Sequence, residues 1–139
     1  MRVCLMVEGQ QGPTWEQWTA IAEACERLGF EALFSSDHYF PGDGPGGTGS
    51  FDAWTILAGL AARTERLRLG TMVSPVTFRH PAVFAKIVAT VDHISAGRVD
   101  IALGAGWWEE EHRMQASRSR RPASGSRCSR SSSRSCTAC

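Results

Sequence analysis

The chain has no run of about eighteen apolar residues, so nothing in it reads as a membrane-spanning helix. Its first residues, "MRVCLMVEGQQG", carry one basic residue and an apolar run broken by Glu8. That is the pattern of a first strand and a poor signal peptide. Cysteine is sparse in the body: Cys4 and Cys25 fall at apolar positions of an expected strand and helix, where a free thiol behaves as a small hydrophobe. The other three, Cys128, Cys136 and Cys139, lie near the end, so no disulfide framework is expected and the reading is cytoplasmic. Acidic residues are missing from residues 114–139, which hold six arginines and nine serines. Residues 1–113 carry 9 basic against 14 acidic side chains, net −5, so the overall charge of +1 joins two unlike segments. A domain over 1–113 and an Arg/Ser-rich, disordered tail over 114–139 follow as expectations.

What the body does have is alternation. "RVCLMVEG" is an apolar run of strand length, expected to be buried on both faces. In "TWEQWTAIAEACERLGF" the period becomes helical, with Trp18, Ile21, Ala22, Cys25 and Leu28 on one stripe. Thr14 and Gln17 form a capping box, and Gly29 ends the helix. "FEALFSS" and "LRLGTMV" read as buried strands, with the helix "FDAWTILAGLAARTE" between them, striped by Trp54, Leu57, Ala58 and Ala61. A third helix starts at Pro81, buries Phe84, Ile87, Val88 and Val91, and stops at Gly97; "RVDIALGAG" is a fourth strand. Repeated βα units mean a parallel sheet with helices outside, either an open doubly wound sheet or a (β/α)8 barrel.

In both architectures ligands bind beyond the carboxyl ends of the strands. Glu8, the pair Asp37 and His38, Met72 to Ser74, and Gly104 to Gly106 all fall there. A histidine is the natural proton donor or acceptor near neutral pH, and Asp37 beside His38 is expected to hold its tautomer or to accept a hydrogen bond from a cofactor. The remaining histidines lack metal-ligand spacing, so no metal site is expected: His80 reads as the start of a helix and His93 as a partner of a helix C-terminus. "GAGWWE" lacks the third glycine of a dinucleotide fingerprint, and "PGDGPGGTGS" (41–50) reads as a loop over the site. Trp107 and Trp108 are candidates for the wall of a pocket for a planar ligand.

The strings "GFEALFSSDHYF", "LGTMVSPVTFRHPAVFAK" and "TVDHISAGRV", continued to "EEEHR", resemble the luciferase-like monooxygenase superfamily, in particular its oxidoreductases that use the deazaflavin coenzyme F-420. The resemblance covers residues 1–113 and implies the N-terminal part of a (β/α)8 TIM barrel, about four βα units. It implies that Asp37 lies by the coenzyme and that His38 is the proton-transfer residue. By the same resemblance Met72 and Val73 form a bulge containing a non-prolyl cis peptide behind the coenzyme ring, and Pro75, Ala105 and Gly106 line the coenzyme with backbone. Trp107 stands where sugar-phosphate dehydrogenase relatives carry a catalytic glutamate, which argues against glucose 6-phosphate as substrate. The three glutamates from Glu109 to Glu111 read as acids at a helix N-terminus.

The implied activity is hydride transfer between F-420 and a small organic substrate, with FMN-dependent monooxygenation as the alternative. Full-length relatives are expected to be homo-oligomers, and neither a nucleic acid nor a membrane partner is expected. A non-catalytic half-barrel, or a fragment contacting RNA through its basic tail, is the competing reading, weakened because no aromatic residue is interleaved in the tail for base stacking. GC-rich codons for residues 122–139, read in another frame, can spell the family continuation GERFALLEEQLEIVHGL. A frameshift between Arg113 and Ser117 is therefore expected, leaving a truncated barrel with exposed strand edges and little activity.

Overall fold

The computed structural model describes residues 2–41 and 50–114. The calls on the tail, and on the loop over the site apart from its ends Pro41 and Ser50, lie outside the described residues. Four parallel strands form one sheet in the order β1 (Cys4–Val7), β2 (Ala32–Ser35), β3 (Arg68–Thr71) and β5 (Val99–Asp100). A second, two-stranded sheet pairs β4 (Ser74–Pro75) with β6 (Leu103–Gly104), also in parallel. Helices α1 (Trp15–Leu28), α2 (Ala53–Ala61) and α3 (Pro81–Ile94) are the crossovers, and a short helix α4 (Glu109–Met114) follows β6. No helix among the described residues is long and apolar enough to cross a membrane.

The local signals account for the helix ends. The Thr14 hydroxyl accepts from the Gln17 backbone N–H while the Gln17 side chain accepts from that of Thr14, and Gly29 stops α1 in the left-handed region at φ +81°. Asp52 caps α2 through the Thr55 N–H, and the His80 ring nitrogen caps α3 ahead of Pro81. His93 lies in the last turn of α3. The stop of α3 takes Ala96 and then Gly97 through positive φ.

The core lies between helices and sheet. Leu5, Val7, Leu33, Leu69 and Val99 point from alternate strand positions into a cluster with Trp18, Trp54, Leu57 and Leu60. Each fully buried leucine there contributes roughly 1.5–3 kcal/mol of transfer free energy. Three expectations need correction. Cys4 is exposed, because it falls on the face of β1 opposite the helices rather than in a strand buried on both sides. Leu28 is exposed at the end of α1, outside its stripe. In α2, Ala53, Ile56 and Leu60 are buried with Trp54, Leu57 and Ala61, because the helix is packed by α1, α3 and β3 at once.

The fourth strand is also not continuous. Gly70 pairs with Asp100, but the next ladder joins Ser74 to Leu103, so four residues on one side advance against three on the other. That is a β-bulge, and it re-aims the chain at the carboxyl end of the sheet. The Met72–Val73 peptide bond inside it is cis, as the resemblance implied. Gly70 is required at the last rung before it, since a Cβ there would run into the Asp100 carbonyl oxygen. Arg98 ties the sheet's far edge to the helices: its guanidinium donates to the carbonyls of Ala61, Thr64, Leu67 and Ser95.

Candidate functional site

The carboxyl ends of β2, β4 and β6 and the start of α4 enclose a cavity of about 250 Å³. Asp37, His38, Met72, Val73, Pro75, Ala105 and Gly106, the residues singled out in the sequence, all line it, and so do Trp107 and Trp108. Glu8 does not; it caps a 3-10 turn after β1 and bonds the Gln10 side chain. The turn is tied to the site from behind, since the Gly9 N–H donates to Ser36 Oγ at 2.8 Å.

Asp37 is buried and its carboxylate is occupied. Arg79 grips it in a fork, Nη1 to Oδ2 at 2.7 Å and Nη2 to Oδ1 at 3.0 Å. Ser74 Oγ donates to Oδ2 at 2.6 Å and accepts from Trp54 Nε1 at 2.9 Å. Since a hydroxyl has one proton, the 2.8 Å contact between Ser74 and Thr71 must be a donation from Thr71. Arg79 Nη2 also reaches Asp52 at 2.7 Å, which ties the α2 cap into the same group. Burial pushes the Asp52 carboxyl up, but Arg79 and the Thr55 backbone and hydroxyl outweigh it and hold the group below its usual range. Burial likewise opposes the charge on Arg79, and the bonds to Asp37 and Asp52 raise its pKa in spite of it. The cation also sits 5.1 Å from the Tyr39 ring centroid, and burial pushes the Tyr39 phenol up.

The acid that meets His38 is therefore not Asp37. Glu111 Oε2 lies 2.9 Å from His38 Nδ1, across 73 positions of sequence, while Oε1 accepts the Tyr39 N–H at 2.6 Å and the Phe40 N–H at 3.3 Å. Glu111 is fully buried, so the reading of the glutamate run as solvated helix-start acids fails for this member. It holds for Glu109, which is exposed and pairs with Arg113 one turn on. The signal that could have separated them is position: Glu111 is followed by His112, which is also buried, whereas Glu109 and Glu110 are exposed. His112 is held by Thr77 Oγ1 at 2.6 Å and by the Trp108 carbonyl at 2.8 Å.

The walls are flat and largely apolar. Met72 and Val73 are 54% and 40% exposed beside the cavity. Trp107 and Trp108 stack at 6.2 Å and stand edge-on to the His38 ring. Gly104 has no room for a side chain, because a Cβ would sit 2.5 Å from Val73 Cγ2. Gly106 adopts φ +78° and would drive a Cβ to 2.8 Å from His112 Cε1. These glycines leave backbone bare along one wall, the arrangement that admits a planar ring with polar edges.

The model of the family described as "luciferase-like monooxygenase" matches residues 2–125. An F420-dependent glucose-6-phosphate dehydrogenase of Intrasporangium calvum is 42% identical over 82 residues, 58% of this chain and 24% of its own length. The chain thus spans about a quarter of the length of the curated relatives it matches. Among solved structures, the monooxygenase RslO1 from Streptomyces bottropensis superposes with a TM-score of 0.71 at 31% identity, over 86% of this chain and 37% of that one. The coenzyme F420-dependent tetrahydromethanopterin reductase from Methanopyrus kandleri gives 0.68 at 23% identity, over 83% and 30%, a likeness of fold. The parallel βα succession is thus part of a (β/α)8 barrel rather than of an open sheet, and the chain belongs to the luciferase-like monooxygenase family.

Proposed function

We propose that this chain carries the coenzyme-facing part of an oxidoreductase that moves a hydride between a deazaflavin of the F-420 type and a small organic substrate. The observation that carries the reading is the convergence of Asp37, His38, Met72, Val73, Pro75, Ala105 and Gly106 on one cavity. The residues present fit such a coenzyme: an apolar platform at Met72 and Val73, bare backbone from Gly104 to Gly106, and an imidazole at the wall. When bound, a deazaflavin supplies the two-electron chemistry.

The chain's own residues supply position and the proton. His38 accepts the proton that the substrate gives up as its hydride leaves, or returns it in the reverse direction. Asp37, neutralised by Arg79, anchors the loop that carries His38 and borders the ring without exchanging a proton. Trp107, where a sugar-phosphate dehydrogenase would present a carboxylate, favours a substrate with an apolar flat surface over glucose 6-phosphate.

Titrating coenzyme F-420 with the chain and following its fluorescence tests the reading, and saturable quenching is expected. Firm binding of FMN with no binding of F-420 at high micromolar concentration would move the protein to the flavin branch. The likeness to RslO1, a monooxygenase, is what favours that second reading.

A further inference from the structure

We propose that Glu111 is a positioning residue for His38: its carboxylate fixes the proton of the neutral imidazole on Nδ1 and so leaves Nε2 as a bare acceptor at the cavity. The proposal rests on the reading of His38 as the proton-transfer residue. Each oxygen of the buried carboxylate has a task, Oε1 accepting the Tyr39 and Phe40 N–H groups and Oε2 facing His38 Nδ1 at 2.9 Å. An ionised carboxylate only accepts, so the proton in that contact belongs to Nδ1. The opposite tautomer would bring two lone pairs together in a site from which water is excluded.

Nε2 has no hydrogen-bond partner among the described residues, and it is not sealed in the interior, since no buried polar atom there lacks one. The ring is flanked edgewise by Trp108 at 5.9 Å and Trp107 at 6.3 Å. Asp37 cannot take over the task, because Arg79 and Ser74 occupy its oxygens. Histidines acting as proton carriers commonly have one nitrogen oriented in this way by a third group.

Glutamine in place of Glu111 would meet the same surroundings with a different result. Two backbone N–H groups still need an acceptor, so the amide oxygen stays with Tyr39 and Phe40 and the amide NH₂ turns to Nδ1. His38 then accepts at Nδ1, and its proton moves to Nε2. E111Q is thus expected to invert the tautomer, which a loss of packing alone does not do.

The test is magic-angle-spinning ¹⁵N spectroscopy of the whole chain labelled at histidine, at alkaline pH and without coenzyme, with the His38 signals identified by their loss in His38→Asn. A protonated Nδ1 and bare Nε2 in the unchanged chain, reversed in E111Q, is the expected result. A proton on Nε2 of the unchanged chain overturns the proposal, and does so even if E111Q fails to fold. An unaltered tautomer in E111Q overturns it equally. An inverted tautomer in a chain that ignores F-420 would refute the proposed function alone and leave the relation between Glu111 and His38 standing.

Discussion

Two buried carboxylates stand at the same strand ends, and their partners set them apart. Asp37 faces Arg79, a guanidinium that keeps its proton at any ordinary pH. Glu111 faces His38, whose residue type gains and loses a proton near neutrality. Burial is equally deep in both. The difference teaches that burial does not mark a reacting acid; the mobility of the partner's proton does. Asp37 with Arg79, Ser74 and Asp52 is an anchor joining β2, the β4–α3 loop and the first turn of α2. Glu111 with His38 is a proton holder.

The largest expected effect comes from breaking the anchor. Arg79→Ala leaves Asp37 buried without its counter-charge, and a loss of about 3–5 kcal/mol is expected in a denaturant melt. A loss below about 1 kcal/mol would mean that Asp37 is hydrated, and would dissolve the distinction drawn above. His38→Ala should act on the other side, lowering turnover by about 10²-fold or more while coenzyme affinity stays within a few-fold. Steady-state rates beside a fluorescence titration separate the two, and an unchanged rate removes His38 from the chemistry.

Gly106→Ala is expected to cost about 1–2 kcal/mol for placing a side chain in the left-handed region. It should also push His112 off Thr77, visible as a changed His112 ring signal. The smallest effect is electrostatic. Asp52 has a folded pKa below its usual value, so its contribution is present above the unfolded value, about 3.9, and fades as pH falls through the folded one. Asp52→Asn keeps a good helix cap and should flatten part of the stability loss below about pH 4. Parallel acid melts of the two proteins check this; identical slopes would show that Arg79 leans on Asp37 alone.

What could be read in the sequence was what is local. The Thr14–Gln17 box, the stop at Gly29 and the Pro81 start each need only a few neighbouring residues, and each is in place. Strand ends were legible because apolar runs stop there, which put Asp37, His38, Met72 and Gly106 at one end of the sheet. The break of the fourth strand was not legible, because it is caused by the bulge at Met72 and Val73 in its partner rather than by anything in "RVDIALGAG". Glu111 escaped for the same kind of reason: its role depends on a residue 73 positions away, while locally it is one of three similar acids. Cys4 went wrong because an apolar run does not say which face the helices will cover.

The contact between Glu111 and the His38 loop also carries a clock. His38 leaves the ribosome first, and 73 residues separate the two. At about 5–20 residues per second that is roughly 4–15 s of synthesis. Until then the Tyr39 and Phe40 N–H groups have no carboxylate to meet and the imidazole has no fixed tautomer. Whatever reaction the cavity serves, its proton-handling group is finished last, by a helix made after every strand described here.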